Sequence, residues 1–270
     1  MADALFTVLD DDHVQPTELS RGPWNPEAQH GGPVAALVAR AAERALAATG
    51  AAAVSPVRLT LDLERPVPLT TLRVRAEVVR PGRKIQVAEV TVYDEADRLL
   101  VRASVLAIRR EDLALPAERF APDDVSPPHR DTADPQPMWE PMGDVVAFHK
   151  DAVDHRFVGP GGGMLQLGPT TDWIRLRGPV VAGEEPTAFQ RVVAAADFVN
   201  GLSGVLPFER WTFINPDLTV TVHRLPVGEW VALDAVTRLD PSGVGTAEAD
   251  LFDESGRIGR CVQTLLVERR

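Results

Sequence analysis

"LTLDLERP" (Leu59–Pro66) and "LTVTVHRL" (Leu218–Leu225) are two versions of one pattern. Leu59, Thr60 and Arg65 match Leu218, Thr219 and Arg224 at an offset of 159 residues (218 less 59). The same offset lays "AEVTVYDEADR" from Ala88 on "AEADLFDESGR" from Ala247, where Ala, Glu, Asp, Glu and Arg recur and Tyr93 faces Phe252. One offset holding across two separate patches points to an internal duplication.

Each copy repeats one order of elements. In the first, "GGPVAALVARAAERALAATG" predicts a helix over Pro33–Ala48, with proline early in the helix and Gly50 as its stop. Alternating strands follow at Val57–Leu63, Leu72–Val78, Ile85–Tyr93 and Leu99–Ile108, the last two joined by the turn "DEADR". In the second copy the helix is expected over Ala188–Leu206, then strands at Leu218–Val222, Trp230–Val236, Val244–Phe252 and Ile258–Val267. "ALFTVL" and "DWIRLRG" supply further strands ahead of each helix. A helix followed by an antiparallel meander, written twice, is an α+β pattern. Both helices carry Ala, Val and Gly on nearly every side, which suits a helix closely wrapped by a curved sheet. The expected architecture is therefore a double hotdog: two antiparallel sheets, each wrapped around a central helix. Between the copies, Glu111–Pro141 holds seven of the 23 prolines, a density that excludes helix interiors and central strands. The division expected is 1–112 and 142–270 as domains, with 113–141 as a linker.

Composition narrows the function. A chain of 270 residues with 44% hydrophobic residues can bury a real core. A net charge of −11 argues against nucleic acid, since no basic surplus exists to neutralise phosphates. A small anionic ligand needs only a local cluster of arginines. The single cysteine, Cys261, forms neither an internal disulfide nor a cysteine metal cage. No apolar run reaches membrane-spanning length, and "MADALFTVLDDD" lacks the basic start of a secretory signal, so a cytoplasmic, membrane-free protein is expected.

A few polar residues stand out. Asp197 sits within "VVAAADFVNGL", where an unpaired buried carboxylate would be costly. It reads either as a working group or as a helix-edge residue paired with Asn200. On the last strand Cys261, Gln263, Leu265 and Val267 share the inward face, leaving Gln263 as its polar exception. Asn215, before a proline, reads as a turn residue. His30 precedes Gly31 and Gly32 at the start of the first helix, where bare backbone N–H groups suit a polarised oxygen and His30 closes the turn. Cys261 reads as a small buried hydrophobe. "GPGGG" at 159–163 lacks the ending of a phosphate loop and reads as a hairpin or flexible loop. His129, His149 and His155 show no metal spacing.

"QHGGPVAALVARA" in this layout resembles the thioesterase-like superfamily of double-hotdog proteins, which includes the bacterial type II acyl-CoA thioesterases. The resemblance spans essentially the whole chain. It implies water-driven hydrolysis of a fatty acyl-CoA thioester in lipid metabolism, with no covalent intermediate, metal or cofactor. The family's helix-two Asp falls on Asp197 and its last-strand Gln on Gln263. Its Thr, counted back from His223-Arg224, falls on Asn215, a departure from the pattern. The roles implied are Asp197 activating water and Gln263 and Asn215 holding it; beside them, Gly31, Gly32 and His30 are the residues read as candidates for polarising the carbonyl. The acyl chain would lie between helix and sheet, with CoA phosphates met by arginines such as Arg80 and Arg83. Assembly as a homo-oligomer stays open. Two rivals remain: a hotdog enoyl-CoA hydratase or dehydratase using an Asp–His pair, and a non-catalytic acyl- or acyl-CoA-binding module. The offset sets Val38 opposite Asp197 and Ser104 opposite Gln263, so one competent water site per chain is expected.

Overall fold

The computed structural model of the chain describes residues 3–50, 54–115, 129, 143–158 and 166–270. Most of the expected linker, 113–141, and the 159–163 glycine run lie outside the described residues. The first half contains β1 (Phe6–Val8), β2 (His13–Pro16), α1 (Gly31–Ala48), β3 (Val54–Leu63), β4 (Leu72–Pro81), β5 (Ile85–Tyr93) and β6 (Leu99–Arg109). The second contains β7 (Val153–Val158), β8 (Thr170–Leu176), α2 (Ala188–Ala196), α3 (Val199–Leu202), β9 (Trp211–Ile214), β10 (Asp217–Val222), β11 (Val231–Asp240), β12 (Val244–Asp253) and β13 (Gly256–Arg269).

The strands run β1-β2-β4-β5-β6-β3 in the first half and, mirrored, β10-β13-β12-β11-β8-β7 in the second. Where two sheets were expected there is one, because β3 and β10 pair antiparallel and close the gap. Thr60 lies directly opposite Thr219, its own counterpart at the 159-residue offset. Register continues symmetrically on both sides, with Leu61 opposite Leu218 and Leu59 opposite Val220. β9 stands off this path and pairs with β13.

The helices follow from their sequences. His30 caps α1 and Gly50, at φ +63°, supplies the left-handed residue just past the C-cap Thr49. From Gly32 to Arg40 every α1 residue is buried, which small side chains permit on all faces at once. The second helix is not continuous. α2 stops at Ala196, with Asp197 as its C-cap and the Phe198 N–H bonded to Ala195 O, and α3 resumes at Val199. α1 and α2 pack side by side. Arg40 grips Glu184 with two hydrogen bonds (2.6 and 2.5 Å), and Glu43 accepts from Thr187 Oγ1 (2.8 Å) and Gln190 Nε2 (2.7 Å). Burial outweighs those two donors and holds the Glu43 carboxyl above its usual range.

The halves differ by one residue at the last hairpin. Tyr93 pairs with Leu99, but Phe252 pairs with Arg257, so the second turn is one residue shorter. Ala88 therefore faces Val105 where Ala247 faces Gln263, and Val105 rather than Ser104 occupies the Gln263 position. Counting ten residues from the helix caps likewise pairs Asp197, after Thr187, with Arg40, after His30, rather than with Val38.

Candidate active site

Asp197 ends α2, at the pole where a helix dipole disfavours an anion. Its side chain instead meets the opposite pole of α1. A Cβ added to Gly31 would fall 2.6 Å from each carboxylate oxygen, so only glycine admits the carboxylate there. Gly32 is just as confined, by Ala194 O and the Phe148 ring. The Gly-Gly pair thus lets the start of α1 close on the end of α2.

Burial of a carboxylate at 5% exposure requires partners, and three are present. Gln263 Nε2 donates to Asp197 Oδ1 at 2.9 Å, and Asn215 Nδ2 donates to the same oxygen at 3.1 Å. His30 Nδ1 lies 2.8 Å from Oδ2. Each comes from a different element: β13, the β9–β10 turn and the N-cap of α1. Asn215 is itself tied down, donating to Asp217 O (3.1 Å) and accepting from Asn200 Nδ2 (3.4 Å). Asn200 supports Asn215 and Phe213 O rather than pairing with Asp197. Gln263 is fully buried, and its Oε1 has no hydrogen-bond partner among the described residues.

Two clefts flank Trp24 at this point. The larger, about 390 Å³, is lined by His30, Gly31, Asp197, Asn200 and Asn215, with Glu64 and Arg65 also on its wall. The second, about 190 Å³, has an aromatic wall of Trp24, Phe198, Phe208 and Phe213, and it reaches His30 and His149. His30 borders both. Arg80 and Arg83, on the β4–β5 hairpin, line neither cleft, so Arg65 is the better placed cation.

The remaining sequence candidates separate from the site. Gly32 is buried, lines neither cleft and donates its N–H to His30 Nδ1 (3.1 Å), whereas Gly31 lines the larger cleft. Cys261 lies behind Asp197 and donates to Ala196 O (3.7 Å); burial pushes its thiol well up. His155 forms a second buried pair with Asp172 (2.5 Å) and meets His149 O (2.9 Å) through Nε2. Burial drives the Asp172 carboxyl upward against the pull of His155. His129 is exposed.

An α+β sheet of this order around such a site is that of a hotdog protein, and comparison with known proteins narrows the class. A family model for the acyl-CoA thioesterase N-terminal domain matches residues 20–108, and one for the acyl-CoA thioesterase C-terminal domain matches residues 122–267. The chain belongs to this acyl-CoA thioesterase family. Among solved structures, a candidate thioesterase II of Thermobifida fusca is 17% identical with a TM-score of 0.74, covering 99% of this chain and 96% of that one. A conserved hot dog-fold protein of unknown function from Alicyclobacillus acidocaldarius is 17% identical with a TM-score of 0.70, covering 99% and 97%. Acyl-CoA thioesterase II TesB2 of Mycobacterium marinum is 15% identical with a TM-score of 0.68, covering 98% and 96%. No curated protein matches the chain. Among the described residues, no helix is long and apolar enough to cross a membrane.

Proposed function

We propose that this protein hydrolyses fatty acyl-CoA thioesters by direct attack of water on a carbonyl held beside Asp197. The observation that carries the reading is the convergence of Gln263, Asn215 and His30 on one buried carboxylate at the wall of a cleft. A thioester carbonyl is already electrophilic, so a positioned water, a proton acceptor and an oxyanion donor suffice. The orphaned Gln263 Oε1 calls for one more hydrogen donor inside the site, a place a water O–H can take. In this reading Gly31, whose amide opens α1, polarises the carbonyl. The acyl group lies against the aromatic wall, and the CoA arm leaves past Arg65. Neither metal nor cofactor has a part in these steps.

The 1–112, 113–141 and 142–270 division goes with a duplicated hotdog ancestry, supported by the Thr60–Thr219 pairing and the repeated strand order. Water chemistry then belongs to one end of the helix pair. The other end carries Arg40 on Glu184.

The His30–Asp197 contact favours a second reading, a hydratase adding water to an enoyl-CoA through an Asp–His pair. One experiment separates the readings. Thiol release from acyl-CoA, followed with an Ellman-type reagent, marks the hydrolase. Loss of enoyl absorbance without thiol marks the hydratase. Neither signal, with binding retained, marks an acyl-binding module.

A further inference from the structure

The cleft beside Asp197 has a counterpart on the other half of the chain. A groove of about 510 Å³ lies at the opposite end of the β3–β10 pair, and the duplication relates the two residue by residue. Glu64 and Arg65 on the cleft correspond to His223 and Arg224 on the groove at the 159-residue offset, and Asn215 corresponds to Pro56. Leu266 corresponds to Ile108 at an offset of 158 (266 less 108), which the shorter hairpin leaves between β6 and β13. Strand pairing agrees, since Ser55 faces Ile108 as Ile214 faces Leu266. The groove is therefore the second copy of the cleft. It cannot repeat the water chemistry. Pro56 has no side-chain donor where Asn215 has one, and the counterpart of Asp197 is Arg40, which Glu184 occupies.

The charge of the groove is reversed as well. Arg58, Arg110 and His223 stand where the other half has Asp217, Glu268 and Glu64. Two further arginines line the groove but are engaged, Arg109 by Glu111 and Arg224 by Asp253. No acidic residue lines it, in a chain of net charge −11. Arg58 is the central case. Asp217 accepts from Thr264 N (2.7 Å) and Oγ1 (2.6 Å), whereas Arg58 has Leu106 in the Thr264 position. Its Nε is buried with no hydrogen-bond partner, and no ion pair engages Arg58, Arg110 or His223 among the described residues. An unanswered buried donor is costly, so a ligand that answers it gains a strong contact. β3 also bulges here: Pro56 is opposite Ala107 and Arg58 opposite Leu106, with Val57 as the extra residue. Such bulges re-aim side chains beside functional sites. Directly across from Arg58, Thr221 adds a hydroxyl.

We propose that this groove binds a small phosphate-bearing molecule, with its phosphate on Arg58 and Arg110 and its body along Val57, Ile108 and Leu225. A guanidinium fork matches phosphate with two parallel hydrogen bonds, and two free arginines suit a doubly charged head better than a single carboxylate. The volume is that of a small-molecule site. From Arg58 to Leu63, on the cleft wall, β3 runs five residues, roughly 17 Å. The groove is thus a separate site, and it does not depend on the hydrolase reading.

The test is calorimetric titration of the full chain with inorganic pyrophosphate, a readout independent of thiol release. The wild type should bind one pyrophosphate per chain, more weakly as salt rises. Arg58→Gln should weaken binding by about tenfold or more, and Arg110→Gln, at an exposed position, by about threefold. Arg102→Gln, exposed on the same sheet but outside the groove, should bind as the wild type does. Adenosine diphosphate as a second probe separates the sources: tighter binding marks an organic phosphate and equal binding the bare anion, and either result keeps the site. Should Arg58→Gln fail to fold, the double variant Arg110→Gln, His223→Asn takes its place with the same expected loss. A wild type that does not bind pyrophosphate would overturn the proposal. So would a folded Arg58→Gln, or the double variant, that binds as the wild type does. An Arg102→Gln loss as large as that of Arg58→Gln would assign the binding to net charge and overturn it too.

Discussion

Gly31 and Asp197 are in direct contact, with no room between them for a single methyl group. The first residue of α1 and the C-cap of α2 therefore define one point, where the favourable pole of one helix offsets the unfavourable pole of the other. Gly31→Ala should force Asp197 off its three partners. The expected cost is about 1–3 kcal/mol of stability, as for other overpacked sites. Turnover should fall further than that loss explains, measured by thermal unfolding beside kcat. An Ala variant with wild-type turnover would show that Asp197 need not sit where it does.

The two donors on Asp197 Oδ1 carry unequal weight. Gln263→Ala opens a hole in the inner face of β13 and removes the 2.9 Å donor, whereas Asn215→Ala removes one at 3.1 Å from a half-buried turn. Both should lower kcat by roughly tenfold, about one hydrogen bond to a charged group, and Gln263→Ala should also lower the melting temperature. Asn215→Thr places a hydroxyl where the family resemblance expects one, and it should keep or raise the rate. Its collapse to the Asn215→Ala level would mean the amide's second bond, to Asp217 O, is what the turn requires.

How much of this could be read from the sequence depended on how local the signal was. The strands of both meanders were legible because one alternating face is buried, as in β12 from Val244 to Ala249. β2, β7 and β9 were not. β2 and β9 have four residues each, and β7 hides its alternation behind His155, a buried position tolerable only because Asp172 answers it from β8. Asp197 and Gln263 announced themselves as polar residues in apolar surroundings. The His30–Asp197 contact could not be read, since it exists only once α1 and α2 pack end against end. The shift from Ser104 to Val105 arose from one missing turn residue, a change that reverses which face of a strand points inward.

Asp253, the last residue of β12, ties the β12–β13 turn to the segment that joins β10 to β11. It is fully buried and accepts from Arg224 Nη1 (2.5 Å) and Nη2 (2.7 Å), Val227 N (2.7 Å) and Ser255 N (2.8 Å). Burial alone would raise its carboxyl, but these donors outweigh it and hold it below the ordinary 3.8. A lowered folded value means the stabilisation is complete above the unfolded value and fades as pH falls through the folded one. Asp253→Asn should therefore lose about 1.5–3 kcal/mol near neutrality, and its deficit against wild type should shrink below roughly pH 4. A deficit independent of pH would assign the loss to packing instead.

Cys261 offers a check on the interior behind the site. It is the chain's only cysteine, it is buried, and its thiol is pushed up, so the native protein should not react with a thiol reagent. Full reaction should appear only on denaturation. Rapid labelling of the folded protein would mean that β13 opens next to Gln263.

The most direct measurement is thiol release from acyl-CoA thioesters of increasing chain length, by wild type and by Asp197→Asn side by side. The native cysteine should add no background to it. The wild type should release thiol, and the variant should stay folded with KM little changed and kcat lower by ~10²-fold or more, a barrier increase of roughly 2.7 kcal/mol. A wild type silent on every thioester, or an Asp197→Asn variant as active as wild type, would contradict the account.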